Sequence, residues 1–407
     1  MRDMAGATGR AFDGIICIGG EDWWYHNRGH FDLQIMRRFA RAMPVLFVNS
    51  LGVRMPHLGG QLAGNKTFVE KIGRKLKSLS QGVVNVENKF WVFSPVMVPG
   101  ATGQALSSWA LAPQIKLAAR HAGIANPLLW VHCPPGARLI DEIDAAAVVM
   151  QRTDRFEAFP EARGSGIADD VAFIKRRADL VVYCAPHLMA EERDTVKRQL
   201  LVTHGVDLET FIAAGDAHDG EPDDMRMLAR PRAGFIGGID AHTFDPALFI
   251  AVAKQLPDVT FPLIGSCSLP DGWAAEAPNV VLLGRKPYEQ VARYMAAMDV
   301  LLMPWNDSDW IKACNPIKLK EYLAVGRPVV TTDFPALDEW RSLVHVAHTA
   351  DAFAAAIRRA LAEPLDPALA RQRLLVETWD AKADLIQFAI DDIVAARTHP
   401  EAGAAVA

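Results

Sequence analysis

Short apolar runs recur along the chain, and most are followed by a longer stretch in which apolar residues return every third or fourth position. Phe12-Asp-Gly-Ile-Ile-Cys-Ile-Gly-Gly20 reads as a buried strand running into a glycine turn. A helix is predicted from about Arg28 to Met43, with Leu33, Met36, Ala40 and Met43 on one face, and Val45-Leu-Phe-Val48 is the next strand. Strand, helix, strand at this spacing predicts a right-handed parallel unit. The rhythm resumes with Leu128–Val131, Ala146–Met150, Leu180–Tyr183 and Leu200–Thr203.

Ala213–Arg232 breaks the pattern; its Asp, Gly and Pro content predicts an exposed connection between domains. A second alternating series then begins, with strands expected at Ala233–Ile236, Val259–Ile264, Val280–Leu283, Val300–Met303, Val329–Thr331 and Val344–Ala347. A last helix, about Ala381 to Ala396, carries Leu385, Phe388, Ala389 and Ile393 on one side. Two α/β halves of similar size follow from this series. In such folds ligands lie beyond the C-terminal ends of the strands and between facing domains.

Composition narrows the picture. The 407 residues suffice for two ordinary domains. Half are hydrophobic, and the net charge of -5 gives no reason to expect a nucleic-acid partner. Five scattered cysteines, none in C-x-x-C spacing, point to reduced thiols and a cytosolic setting, not to a disulfide framework or zinc site. No apolar run approaches the roughly 18 residues that span a bilayer, and Met1 to Arg10 lacks a signal-type apolar core, so export is not expected.

The most informative stretch is Ala313-Cys-Asn-Pro-Ile-Lys-Leu-Lys-Glu-Tyr-Leu-Ala-Val-Gly-Arg-Pro-Val-Val-Thr-Thr332. Asn315 suits an N-cap and Pro316 the first helical position. Leu319, Tyr322 and Leu323 share an inward face, Lys318 and Glu321 a polar one, and Gly326 with Pro328 ends the helix. A cation in the first turn opposes the helix dipole. Lys318, with Lys312 just upstream, and the free N–H groups suit a phosphate or diphosphate, and Glu321 a sugar hydroxyl; a solvated Lys318–Glu321 pair is the plainer alternative. Gly234-Phe-Ile-Gly-Gly238 sits at a strand end, where Gly237 and Gly238 would let phosphates approach the backbone.

Together with Leu283-Gly-Arg-Lys-Pro-Tyr288, Met298–Pro304 and Thr203–Phe211, these segments occur in the order seen in GT-B glycosyltransferases. The chain resembles the group 1, family-4-like type, including its bacterial cell-surface polysaccharide branch. The resemblance implies two Rossmann-like domains whose parallel sheets face an interdomain cleft. They would be an acceptor-side domain at 1–205, a nucleotide-sugar domain at 206–375, and a helix at 376–400 crossing back onto the first. It further implies that Glu321 contacts the ribose, and that Lys318 and Asn315 at the helix start face the diphosphate. Arg285 and Tyr288 would lie near the base, and Gly19 and Gly20 would form the close-approach loop opposite. Two positions depart from the family pattern: Ala313 stands where a Glu is usual, and Gly238-Ile239-Asp240 where an Arg is usual.

Trp23-Trp-Tyr-His-Asn-Arg28 follows the first strand. Trp23 and Trp24 suit stacking on a sugar, and His26 and Arg28 suit acceptor hydroxyls, although aromatic residues equally cover a core. His132 sits at a strand end where a family histidine touches the donor sugar, and Asp154 is a candidate base or hydroxyl binder. Within 66–79, Lys66, Lys71, Arg74, Lys75 and Lys77 oppose an apolar face, the pattern of a helix on an anionic membrane or of a surface helix. The expected activity is sugar transfer from a nucleotide-sugar to a glycan or lipid-linked acceptor. It would be retaining, independent of metal or cofactor, and catalysed by Lys318, His132 and Asp154 at the inner face of the cytoplasmic membrane. An epimerase of the same fold and a non-catalytic nucleotide-sugar binder are the alternatives.

Overall fold

The computed structural model describes residues 11–24, 29–51, 82–96, 101–158, 166–217, 220–308, 311, 315–363 and 366–398. It divides into two compact units: His204–Ala381 forms one, and the residues up to Thr203 and from Lys382 form the other.

The first unit is built on an eight-stranded sheet. Its strands are β1 (Gly14–Ile18), β2 (Val45–Val48), β3 (Val83–Glu87), β4 (Phe90–Phe93), β5 (Pro127–Val131), β6 (Ala147–Arg152), β7 (Leu180–Tyr183) and β8 (Gln199–Leu201). Their order is β3-β4-β2-β1-β5-β6-β7-β8. Strands β1, β2, β5 and β6 are buried along their whole length, as expected when both faces of a parallel sheet are covered. Only β3 and β4 pair antiparallel, and the strand pattern above omits both. They form a hairpin turning at Asn88, which has a positive φ of 39°. A polar turn with Asn between two runs rich in Val, Phe and Trp is the signal that marks them.

The second unit carries a six-stranded, all-parallel sheet. Its strands are β9 (Ala233–Ile236), β10 (Phe261–Ile264), β11 (Val280–Gly284), β12 (Val300–Met303), β13 (Val329–Thr331) and β14 (His345–Val346), in the order β11-β10-β9-β12-β13-β14. In each sheet the chain winds outward one way, then returns to the middle and winds the other way. The reversal falls between β1 and β5 in the first and between β9 and β12 in the second. At such a point neighbouring connections leave on opposite faces and a crevice opens beyond the strand ends.

Three expectations are corrected. Ala213–Arg232 lies wholly inside the second unit rather than between domains. Its charges are paired there, Asp224 with Lys286 at 2.6 Å and Glu221 with Arg230 and Arg232, so polar composition alone did not mark a linker. The last helix, Trp379–Thr398, buries Ala383, Ile386, Ile390 and Ile393, whereas Phe388 is 76% exposed. Both apolar stripes satisfy helical periodicity, and the packing surface selects one of them. Finally, the helix expected to start at Pro316 spans Ile317–Val325, with Pro316 extended at the N-cap and no side chain capping it.

Candidate functional site

At the second reversal point, β9 leads into Gly237 and Gly238, and β12 into Pro304 and Trp305. The Gly237 N–H donates to the Ile264 carbonyl at 2.8 Å. A Cβ on Gly265 would sit 1.8 Å from the Gly237 oxygen, so the two loops pass closely only because Gly265, with φ of 148°, is glycine. A Cβ on Gly237 would in turn meet the Lys318 ammonium at 2.2 Å. Lys318 Nζ therefore lies over that glycine, 4.6 Å from the ring centre of Phe235 and 5.7 Å from that of Trp305, both within cation–π range.

The Ile317–Val325 helix is fixed from several sides. Leu319, Tyr322 and Leu323 are buried, as their spacing predicts, and the Tyr322 hydroxyl accepts from the Ile236 N–H at 3.0 Å. Lys320 is buried as well, bonded to Glu377 and to the His204 carbonyl. Gly326, at φ 79°, closes the helix in the left-handed conformation. The N-cap Pro316 gives the helix no side-chain cap, and Lys318 stands in the first turn, where the N–H groups and the positive end of the helix dipole point. A cavity of about 350 Å3 opens there, its walls including His204, Gly238, Asp240, Trp305, Asn315 and Lys318.

Glu321 is not on a solvated face. It is buried, and burial pushes its carboxyl up to about 7 against the opposing charge of Lys318, with Asp207 adding to the rise. It does not line the cavity, and neither do Arg285, exposed after β11, and Tyr288, at the start of the Tyr288–Ala296 helix. Asp240 does line it, and its carboxylate accepts from the N–H groups of His242 (2.9 Å) and Thr243 (3.1 Å). Trp305, His204, Asp240 and Thr243 are cavity residues that the motif reading missed. An aromatic two residues after β12 was the available signal for Trp305.

At the first reversal point the two glycines are crowded by the chain's own side chains. A Cβ on Gly19 would lie 2.2 Å from the Phe47 ring, and one on Gly20 would lie 2.5 Å from the His132 imidazole. The Gly20 N–H donates to Asp32 Oδ2 at 3.1 Å, so it is already engaged. His132 follows β5, its N–H bonded to the Ile18 carbonyl at 3.0 Å, and its Nδ1 lies 3.0 Å from Asp32 Oδ2. Asp32, at the start of the Phe31–Phe39 helix, is fully buried and was not singled out from sequence. Asp154 lies in the loop after β6, its carbonyl accepting from Arg152 at 2.9 Å. Trp23 is a core residue, its ring centre 5.0 Å from that of Phe90 and its N–H donated to Asn49, whereas Trp24 is half-buried. His26, Arg28, Lys312, Ala313 and the basic series Lys66, Lys71, Arg74, Lys75 and Lys77 lie outside the described residues. Among the described residues no helix is long and apolar enough to cross a membrane.

Residues 230–363 match the family model "Glycosyl transferases group 1". Over 179 residues the chain is 32% identical to a Bacillus subtilis (strain 168) protein assigned to teichuronic acid biosynthesis as glycosyltransferase TuaH. That stretch is 40% of this chain and 42% of the relative, so the chain spans less than half the length of the curated protein it matches. Sucrose-phosphate synthase from Thermosynechococcus elongatus superposes over 94% of this chain and 99% of its own, with a TM-score of 0.61 at 17% identity. Anabaena HepE in complex with UDP does so over 93% and 99%, with a TM-score of 0.60 at 14% identity. The fold is GT-B.

Proposed function

We propose that this GT-B chain, whose residues 230–363 form a group 1 glycosyltransferase domain, transfers a sugar from a nucleoside-diphosphate donor to a hydroxyl of a glycan or lipid-linked acceptor in cell-surface polysaccharide synthesis. The observation that carries this reading is the second reversal point. An uncapped helix start and the Lys318 ammonium border one cavity of about 350 Å3, with room for an anionic group against fixed positive dipoles. HepE, a protein of the same fold, binds UDP, which supports a nucleotide as the ligand class.

The chemistry breaks the bond between the anomeric carbon and the diphosphate oxygen, joins that carbon to the acceptor oxygen, and passes the acceptor's hydroxyl proton to the departing diphosphate. Charge develops on the departing diphosphate, where Lys318 and the first-turn N–H groups of Ile317–Val325 neutralise it without reorganising. This reading assigns the acceptor to the first unit and the nucleotide to the second. Its finer terms are retention of anomeric configuration, turnover undiminished by a chelator, and a cytosolic enzyme meeting its acceptor at the membrane surface.

A thermal-shift and calorimetric screen of UDP-, GDP- and dTDP-sugars tests the donor. The preferred donor raises the apparent stability of the parent, and Lys318→Ala weakens its binding by about 100-fold, the scale of a charge-assisted contact. Unchanged affinity in Lys318→Ala would remove the site from this cavity. Nucleotide release that requires an added acceptor marks transfer, release without one marks hydrolysis or epimerisation, and the product anomer is read by proton NMR.

A further inference from the structure

Asp32, His132 and Thr153 come from the connections after β1, β5 and β6, yet they stand in one line. Asp32 Oδ2 is 3.0 Å from His132 Nδ1, and His132 Nε2 is 3.1 Å from Thr153 Oγ1. Asp32 is fully buried and the His132 side chain is 10% exposed. A carboxylate taken out of water needs a countercharge and donors. Asp32 has them in the facing imidazole, in the Gly20 N–H at 3.1 Å and in the Leu33 N–H at 2.8 Å. Gly20 makes this possible, since any side chain there would meet the imidazole.

The charges around the pair agree with that geometry. Burial would raise the Asp32 carboxyl, but the His132 charge and hydrogen bond, the Gly20 N–H and His30 bring it below its ordinary value. Burial would lower His132, but Asp32, then Asp154 and Glu21, hold it above its ordinary value. The neighbouring Cys17 and Cys133 thiols are pushed up, mainly by burial, and stay neutral. Protonated on both nitrogens, the imidazole donates to Asp32 and to the Thr153 oxygen, and the Gly20 N–H, which lies 3.1 Å from Nδ1 as well as from Asp32 Oδ2, then donates to Asp32 alone. With the Thr153 oxygen accepting, the Thr153 O–H must point its hydrogen elsewhere. Its loop is pinned independently, because the buried Arg152 donates to the Asp154 carbonyl at 2.9 Å and to Glu157 and Glu192 at 2.6 and 2.8 Å.

We propose that Asp32, His132 and Thr153 form a proton-ordering chain whose outer end, the Thr153 hydroxyl, donates a hydrogen bond to an oxygen of the sugar bound beyond the first sheet. Loss of the Nε2 proton from His132 turns the chain round: Thr153 then donates to Nε2 and presents only lone pairs. Thr153 is the group that touches ligand, and Asp32 is a positioning residue acting through His132. The ligand role rests on the transferase reading, whereas the chain itself does not.

Two measurements separate these. In the parent, 15N-histidine NMR should show His132 doubly protonated to a pH above the ordinary histidine value, and Asp32→Asn should bring that titration below it. A His132 that is already neutral near pH 6 overturns the chain whatever the turnover. For turnover, kcat/KM of the parent should fall as pH rises through the His132 titration, and in Asp32→Asn the same fall should come at lower pH. Thr153→Ser should keep the parent profile, and Thr153→Val should lose about tenfold at low pH together with the alkaline fall, as one lost hydrogen bond implies. Should Asp32→Asn not fold, the Thr153 pair carries the test. A Thr153→Val profile that superimposes on the parent overturns the proposal. If the parent turns over no donor while His132 titrates as stated, the transferase reading and the ligand role fall, and the chain stands.

Discussion

The two sheets reverse their winding in the same way, but the two reversal points are finished differently. Beyond β1 and β5 the glycines make room for the protein itself, with Phe47 over Gly19 and His132 over Gly20. Beyond β9 and β12 the glycines make room for one lysine, and a cavity of about 350 Å3 remains beside it. Topology supplies the crevice in both cases. Side-chain volume and charge decide whether it becomes a packed, titrating network or an open anion site.

Trp23→Ala should give the largest effect on this comparison, because the ring packs in the first unit's core against Phe90. A loss of about 3–5 kcal/mol in urea unfolding is expected. A variant that keeps its stability and loses only acceptor affinity would return Trp23 to ligand binding. Glu321→Gln works the other way at the second point. The native carboxyl holds its proton to about pH 7 against an ordinary value of 4.5, so native stability falls as pH rises between those values. Removing that titration should stabilise the ligand-free protein near pH 8 by about 3 kcal/mol relative to the parent and leave little difference near pH 4. A denaturation series across pH reads this directly, and parallel curves would refute it.

Gly20→Ala should cost about 1–3 kcal/mol by forcing the locked imidazole aside. Lys318→Met is its counterpart: stability within about 1 kcal/mol of the parent, since the stem stays over Phe235, but nucleotide affinity lost. If both variants lost stability alone, the two reversal points would not differ in kind. The smallest effect is on pH dependence. The Asp32–His132 pair contributes in full between the ordinary values of 3.8 and 6.5, and its contribution is lost as pH falls through the depressed Asp32 value or rises through the raised His132 value. Asp32→Asn should flatten both limbs.

Much of the second unit was legible because its strands are short apolar runs bounded by Gly and Pro. Ala233–Ile236, Val300–Met303 and Val329–Thr331 fall where the pattern puts them. Lys318 was legible for a similar reason, a cation where a helix dipole disfavours one. Less legible were Asp32 and Thr153, which lie 121 positions apart and sit in ordinary local contexts, one in a helix's first turn and one after a strand. The two stripes of the last helix were equally periodic, so nothing local favoured Ile386 and Ile390 over Leu385 and Phe388.

Sequence by itself determined the alternation of strands and helices, the two α/β units, the glycines at the strand ends and the positively charged helix start. These are properties of the local chain: period, backbone freedom and dipole orientation. Tertiary structure decided that Glu321 is buried rather than solvated, that Trp23 is core, and that His132 carries a carboxylate behind it and a hydroxyl in front. Those depend on which groups distant connections bring within about 3 Å, where desolvation and hydrogen bonding set charge and tautomer. Periodicity carries no information about that distance.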